Sequence, residues 1–102
     1  MSSISQVQNA AENFERALAG FQERSIEKCF ASNSENVNGF VQCISKSVDK
    51  IEEVSKTAQG IIIFVNAKAG QYEKEGKDEG FIESSTSKIL EQKYNELSRL
   101  LE

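Results

Sequence analysis

The stretch "CFASNSENVNGFVQC", residues 29 to 43, separates two segments of helical periodicity and contains both cysteines of the chain. Its centre, "ASNSEN" at residues 31 to 36, consists of small polar residues whose side chains bond to nearby backbone and compete with helix formation. Cys29 and Cys43 lie seven residues on either side of Asn36. The stretch is therefore the predicted turn between two helices, and the periodicity on each side of it decides the fold.

The residues before the turn have the spacing of an amphipathic helix. Apolar side chains recur at intervals of three and four residues, which aligns them in one stripe along a helix. The stripe contains Ile4, Val7, Ala11, Phe14, Leu18 and Phe21, and after a slip of one residue it continues through Ile26, Cys29 and Phe30. This pattern predicts a first helix over residues 3 to 31, followed by a turn over residues 32 to 36.

The same spacing resumes after the turn and continues further. The second stripe contains Val37, Val41, Ile44, Val48, Ile51, Ala58, Ile62, Val65, Ala69 and Tyr72, with Ser55 filling one position. It predicts a second helix over residues 37 to 73, about 55 Å long at a rise of 1.5 Å per residue. The run "IIIFVN" at residues 61 to 66 leaves a short buried strand as the alternative, because β-branched residues cluster there. The unbroken heptad register favours the helix.

The last part of the chain begins with a charged, glycine-rich segment, "GQYEKEGKDEG" at residues 70 to 80. It predicts the end of the second helix and a solvated linker over residues 74 to 80. Apolar spacing then returns at Ile82, Ile89, Leu90, Tyr94, Leu97 and Leu101. The predicted fold is all-α: an antiparallel two-helix hairpin with a third C-terminal amphipathic helix over residues 82 to 101. The third stripe must pack on the first two helices or bind another chain.

Composition limits the function of this single domain of 102 residues. The chain has no histidine, which is the usual general base and the commonest metal ligand, so we expect no enzyme, no metal and no cofactor. Its 12 basic and 16 acidic residues are mixed along the sequence, which argues against binding to nucleic acid. The longest apolar run, "IIIFV", is far shorter than the roughly 20 residues of a membrane span. With no secretory signal at the start, the expected location is cytoplasmic, and export without a cleaved signal stays open.

The two cysteines allow two interpretations. They are either two half-buried thiols beside the apolar stripe, or a disulfide, provided that their Cα atoms come within about 7 Å. A zinc site is excluded because two thiols without histidine supply half of a tetrahedral ligand set. The spacing also resembles small hairpin proteins of the mitochondrial intermembrane space, stapled by paired C-x-x-x-C motifs, although here the fourth positions are Asn33 and Ser47. That resemblance implies, as an alternative, a structural subunit of a larger assembly with a Cys29 to Cys43 staple.

Two short motifs appear in outline at the turn and at the end of the second helix. Val37, Asn38 and Gly39 follow the turn, and Tyr72 is followed four residues later by Gly76. Over about residues 1 to 80 the chain resembles the tryptophan-x-glycine family of type VII secretion proteins and related helical partners of secreted toxins. That family has W-x-G and Y-x-x-x-D or Y-x-x-x-E at these places. The resemblance implies a non-enzymatic helical partner that helps present another protein for export.

The second helix is predicted to extend beyond the first. Reflecting the chain about residue 36 brings Ile4 near residue 68, so the end of the second helix has no neighbour in the first. This leaves apolar surface for the third helix or for a partner protein. The predicted partner-binding residues are Ile61, Ile62, Phe64, Val65 and Tyr72. The expected partner is another helical protein or a second copy of the chain.

Overall fold

The structure, a computed structural model, describes residues 3 to 102 and contains three α-helices. Helix α1 is Ser3–Ser32, α2 is Val37–Lys74 and α3 is Glu79–Leu100. No strand occurs in this range, and residues 61 to 66 are helical throughout. The predicted all-α class is confirmed. The molecule is elongated, with extents of 62 × 26 × 13 Å. The side chain of Ile4 lies outside the part that the structure describes.

The connection between α1 and α2 is closed by asparagine side chains. Asn33 donates a hydrogen bond of 3.0 Å from Nδ2 to the carbonyl oxygen of Cys29, near the end of α1. Asn36 is the N-cap of α2, and its Oδ1 accepts a hydrogen bond of 3.0 Å from the backbone N–H of Gly39. Each bond satisfies a backbone group that a helix end leaves without a partner. Val37, Asn38 and Gly39 therefore form the first turn of α2 and do not belong to the connection.

Helix α2 ends in a Schellman motif centred on Gly76. Gly76 has a φ of 78°, a left-handed conformation that glycine adopts without steric cost. Its N–H donates to the carbonyl oxygen of Glu73 at 3.1 Å, and the N–H of Lys77 donates to that of Tyr72 at 3.0 Å. This pair of bonds is the signature of the motif. Gly76 thus ends the helix, as the glycine-rich segment predicted.

Helix α3 begins earlier than the sequence analysis predicted. Asp78 is its N-cap, and its carboxylate accepts a hydrogen bond of 2.7 Å from the N–H of Phe81. This cap stabilises the first turn, so Gly80 lies inside the helix. The predicted linker over residues 74 to 80 is reduced to residues 75 to 78, and a start at residue 82 is wrong. Farther along, the Thr86 hydroxyl donates to the carbonyl oxygen of Ile82 at 2.7 Å, so it bonds within the helix.

The core contains residues from all three helices. Phe14 of α1, Val54 of α2 and Leu97 of α3 form a buried cluster with Leu101. Partly buried side chains surround the cluster, namely Ala17, Leu18, Phe21, Ala58, Ile61 and Tyr94. The rings of Phe14 and Tyr94 lie with their centroids 5.6 Å apart. The apolar stripe of α3 therefore packs on the first two helices, more extensively on α1 than on α2.

The contacts between α1 and α2 follow a regular order. Cys29 is bonded to Cys43, and the ammonium group of Lys50 lies 5.1 Å from the centre of the Phe21 ring. Farther from the connection between the two helices, Phe14 of α1 and Val54 of α2 belong to the same buried cluster.

The buried side of α2 differs from the predicted stripe. Val54 and Val65 are buried and Ile61 packs against the core. Val37, Val41, Val48 and Ile62, all members of the predicted stripe, are 77, 51, 44 and 44% exposed. Residues 54, 58, 61 and 65 also follow a spacing of four and three, so α2 carries two apolar stripes side by side. The packing of α1 and α3 buries this second line, which shares Ala58 and Val65 with the predicted stripe and adds Val54 and Ile61.

The predicted continuation of the buried stripe near the end of α1 is wrong for two of its three residues. Ile26 and Phe30 were expected to continue the buried stripe, but both are exposed. Cys29 alone among these three residues is buried. It faces α2 because it is bonded there, and this orientation turns its two neighbours on the stripe toward solvent.

Candidate functional site

Four exposed apolar residues lie along one side of α2, namely Val37, Val41, Val48 and Ile62, and we call them the exposed stripe. Val41, Val48 and Ile62 are separated by multiples of seven residues, so they lie on one side of the helix with only a slow drift. Ser55 and Ala69, at the other positions of this repeat, are half-buried. From Val37 to Ile62 the stripe is about 38 Å long at 1.5 Å per residue.

An aromatic pair borders one end of the exposed stripe. The Phe30 ring of α1 meets the Phe40 ring of α2 edge to face, with centroids 6.4 Å apart. Phe40 lies three residues after Val37 on the same helix, so the two side chains are neighbours. Phe30 itself is more than half exposed. The apolar surface therefore spans both α1 and α2 near their connection.

The five predicted partner-binding residues do not form one surface. Val65 is only 7% exposed and Ile61 packs on the core, so predicting these two as partner contacts was wrong. Ile62 and Phe64 are exposed, and so is Ile63, which the prediction omitted. Consecutive helical residues differ by about 100° in direction, so Ile62 and Phe64 point to nearly opposite sides of α2.

Ile61 and Val65 are unavailable to a partner because α3 packs back along the end of α2. The rings of Tyr72 and Phe81 pack edge to face with centroids 5.1 Å apart, directly after the connection between the helices. Ile61 meets the core that Leu97 helps to form. Along α2, Val65 lies between Ile61 and Tyr72, the two residues that make these contacts. The end of α2 is therefore covered on one side by its own chain.

The two motif positions have local structural roles. A Cβ atom at residue 39 would collide with Oδ1 of Asn33 and lie 3.0 Å from Nδ2 of Asn36, so Gly39 is needed for the asparagine caps. Gly76 holds the left-handed position of the Schellman motif. Val37, at the place of the tryptophan in W-x-G, is largely exposed. Tyr72 is half-buried and its ring is in contact with Phe81.

The cysteines are joined by a disulfide in the structure. The Cα atoms of Cys29 and Cys43 are 5.6 Å apart, and the bond links the last turns of α1 to the second turn of α2. Cys29 is buried and Cys43 is half-buried. No free thiol is present in the described residues. Of the two interpretations left open by the sequence, the structure contains the disulfide.

A second surface, which we call the basic groove, lies between α1 and α2 beyond the end of α3. Its volume is about 560 Å³. Four cationic side chains line it, Arg24 and Lys28 from α1 and Lys46 and Lys50 from α2. The other lining residues are Phe21, Ser25, Cys29, Cys43, Ser47, Leu101 and Glu102. Glu102 is thus the only acidic side chain among them, in a chain with 16 acidic residues.

The sequence analysis missed the basic groove, although a signal for it was present. Arg24 and Lys50, like Lys28 and Lys46, lie at equal distances on either side of residue 37. Any two-helix arrangement that turns near this residue brings each pair to the same level. Mixed charge along the sequence therefore concealed a local concentration of positive charge.

Among the described residues, no group of three or more acidic or cysteine side chains is placed to hold a metal ion. Within residues 3 to 102, none of the helices combines the length and hydropathy of a membrane-spanning segment. Comparison of the chain with models of protein families, with curated proteins and with solved structures found no match. The exposed stripe and the basic groove are the two candidate functional surfaces of the chain.

Proposed function

We propose that the protein is a non-enzymatic helical adaptor that binds another helical protein along the exposed stripe of α2. The observation that carries this proposal is the repeat of Val41, Val48 and Ile62 at multiples of seven residues with 44 to 51% of each side chain exposed. A partner helix with apolar residues at the same period can insert them between these side chains. Aligned apolar surface of this kind is typical of protein interaction sites.

The size of the exposed stripe indicates how large the interface must be. Burying the remaining exposed half of one valine or isoleucine side chain contributes about 1 kcal/mol, so the four residues together contribute about 4 kcal/mol. A micromolar complex requires about 8 kcal/mol after the cost of association. The interface must therefore extend beyond the stripe, and exposed Phe30 and Ile63 supply further apolar surface on α1 and α2.

The proposed working form is an antiparallel hairpin of α1 and α2 with α3 packed on one side. Three contacts support it: the disulfide between Cys29 and Cys43, the stacking of Lys50 on Phe21, and the shared core around Phe14 and Val54. In this arrangement α3 leaves the exposed stripe accessible. A partner helix would then pack on the side of α2 that α3 does not cover.

The proposed pathway is type VII secretion, with a secreted protein or its targeting component as partner. The support for it is the resemblance in length and helical layout over about residues 1 to 80. The motif positions add nothing, because Gly39 and Gly76 are explained by the helix ends. This pathway would place the protein in the cytoplasm before export without a cleaved signal.

The experiment that tests the adaptor proposal is affinity purification from the native source with matched variants. Val48→Glu with Ile62→Glu places two charges on the exposed stripe. Gln42→Glu with Ala67→Glu makes the same change in charge at exposed positions on another side of α2. We expect the unaltered chain and the control variant to recover one helical protein in stoichiometric amount, which the stripe variant loses.

Helicity must be compared by circular dichroism for all three chains. Equal recovery of the same protein by the stripe variant would contradict the proposal. Unfolding of the isolated stripe variant would contradict it as well, because these side chains would then belong to the core. Val65→Glu is the positive control for unfolding, since this side chain is buried.

A second candidate function is that of a structural subunit in a larger assembly of an oxidising compartment, such as the mitochondrial intermembrane space. The disulfide between Cys29 and Cys43 favours it, because such bonds persist mainly outside reducing compartments. Protein taken from the native source under thiol-blocking conditions should then change electrophoretic mobility on reduction. An unchanged mobility, with both thiols blocked, would exclude this candidate.

A further inference from the structure

The basic groove lies on a different part of the surface from the exposed stripe. Helix α3 fills the space between α1 and α2 as far as Leu101. The side chain of this residue is fully buried. Beyond that point the space remains open up to the disulfide. Cations from both walls face it, so the groove requires an explanation that the adaptor proposal does not supply.

Two of the four cations of the basic groove contact other parts of the fold, and two do not. Arg24 bonds to the carbonyl oxygen of Leu101 at 2.7 Å, and Lys50 stacks on the Phe21 ring. Lys28 and Lys46 make no hydrogen bond or ion pair with the described residues. Among the described residues, no carboxylate oxygen lies within 4 Å of the charged nitrogen atoms of these four side chains. Their positive charge is therefore available to an incoming anion.

The arrangement of these charges limits the kind of anion. Arg24 and Lys28 are one helical turn apart on α1, and Lys46 and Lys50 are one turn apart on α2. Each pair therefore spans about 5.4 to 6 Å along its helix. A ligand with carboxylates one turn apart can meet both members of a pair. The floor between the pairs includes the half-buried Phe21, which suits an apolar side chain.

Small phosphate compounds and nucleic acid fit the basic groove less well. Phosphate sites are usually built on free backbone N–H groups at helix N-termini or in glycine-rich loops. The groove is lined mainly by residues inside α1 and α2, whose N–H groups already bond within the helices. Nucleic acid needs a long basic surface, and the rest of this chain has far more acidic than basic residues.

We propose that the basic groove binds an acidic amphipathic peptide segment of a partner protein, with carboxylates one turn apart on the cations of its two walls and an apolar side chain on the floor beside Phe21. The volume of about 560 Å³ holds a short segment and not a folded domain. Affinity then depends on charge and falls as salt screens it. This site is independent of the exposed stripe, so each proposal can fail without the other.

The test is a fluorescence anisotropy titration of the whole protein with a labelled peptide of about 12 residues, which is just over three helical turns. The peptide has glutamates four residues apart and leucines between them. Its control has glutamine at every glutamate position. The protein variants are Lys28→Glu with Lys46→Glu in the groove, and Lys56→Glu with Lys88→Glu at exposed positions outside it.

We expect the acidic peptide to bind equally to the unaltered chain and to the control variant with Lys56→Glu and Lys88→Glu. Its binding to the groove variant should be about tenfold weaker, because two ion pairs are replaced by repulsion. The stripe variant Val48→Glu with Ile62→Glu should bind the peptide normally. Lys28→Gln with Lys46→Gln should show an intermediate loss, which keeps the result interpretable if the charge reversal disturbs folding.

Three outcomes would overturn the proposal. The first is equal binding of the peptide by the groove variant and by the unaltered chain. The second is equal binding of the glutamine peptide, because the groove would then recognise apolar side chains alone. The third is that inorganic pyrophosphate or a short DNA duplex binds the groove more tightly than the acidic peptide does.

Discussion

Arg24 of α1 donates a hydrogen bond of 2.7 Å from its guanidinium group to the carbonyl oxygen of Leu101, 77 residues later in the chain. Leu101 is the residue that ends α3, and only 1% of it is exposed. The last carbonyl groups of a helix lack partners within the helix, and a cation nearby is favourable. The end of α3 is thus fixed on α1 by a charge-assisted bond and by burial together.

Removing the guanidinium group should weaken this attachment. We expect Arg24→Ala to lower the free energy of unfolding by about 1 kcal/mol, toward the lower end for bonds from charged groups because Arg24 is exposed. Lys28→Ala, one turn away and without an intramolecular partner, should change it by less than about 0.5 kcal/mol. Urea unfolding followed by circular dichroism measures both. Equal effects of the two substitutions would show that the hydrogen bond to Leu101 contributes nothing.

The last two leucines of the chain should differ sharply in their contribution to stability. Leu101→Ala removes a fully buried side chain and should destabilise the protein by about 2 to 4 kcal/mol. Leu100→Ala is the matched control, because 60% of this side chain is exposed and its truncation should cost less than about 1 kcal/mol. Both can be measured by urea unfolding. A larger loss for Leu100 would mean that α3 is rotated relative to the core described above.

The disulfide should stabilise the connection between α1 and α2. It closes a loop with a sequence separation of 14 residues, for which the chain-entropy account gives about 3 kcal/mol. We expect Cys29→Ala with Cys43→Ala to lose about this amount in thermal or urea unfolding. Adding reductant should destabilise the unaltered chain and leave the double variant unchanged. Identical unfolding of the unaltered chain with and without reductant would contradict the bond.

The glycines should respond to alanine in opposite directions. Gly39→Ala and Gly76→Ala should each destabilise by about 1 kcal/mol or more, the first by collision with Asn33 and the second by its positive φ. Gly60→Ala should stabilise by about 0.5 to 1 kcal/mol, because the position is helical and an added Cβ meets no atom within 4 Å. Thermal unfolding of the three variants measures the sign of each stability change. Stabilisation by Gly39→Ala would mean that the asparagine caps do not require glycine.

Much of the helical layout could be predicted from local chemistry. The absence of proline, the apolar spacing and the polar stretch at residues 31 to 36 place α1 and α2 close to where they occur. The start of α3 was missed because Asp78 was treated as part of a solvated linker, although its carboxylate caps the helix. An aspartate three residues before Phe81 was a usable signal for that cap.

The interaction surfaces were much less predictable. Val65 and Ile62 are equally apolar and both follow the heptad spacing, yet one is buried and the other is exposed. Spacing identifies residues that share a side of a helix but not which of two adjacent stripes the neighbouring helices cover. The choice depends on where α3 packs.

Residue types and their short-range spacing were enough to predict three helices, the polar connection around Asn36 and the lack of histidine chemistry. The packing of the helices accounts for the rest: α3 folds back and buries Leu101, while Val41, Val48 and Ile62 stay exposed, and Lys28 and Lys46 line one groove. Those outcomes depend on contacts between residues far apart in the chain, where several packings satisfy the same local pattern and the burial of all three helices together selects one.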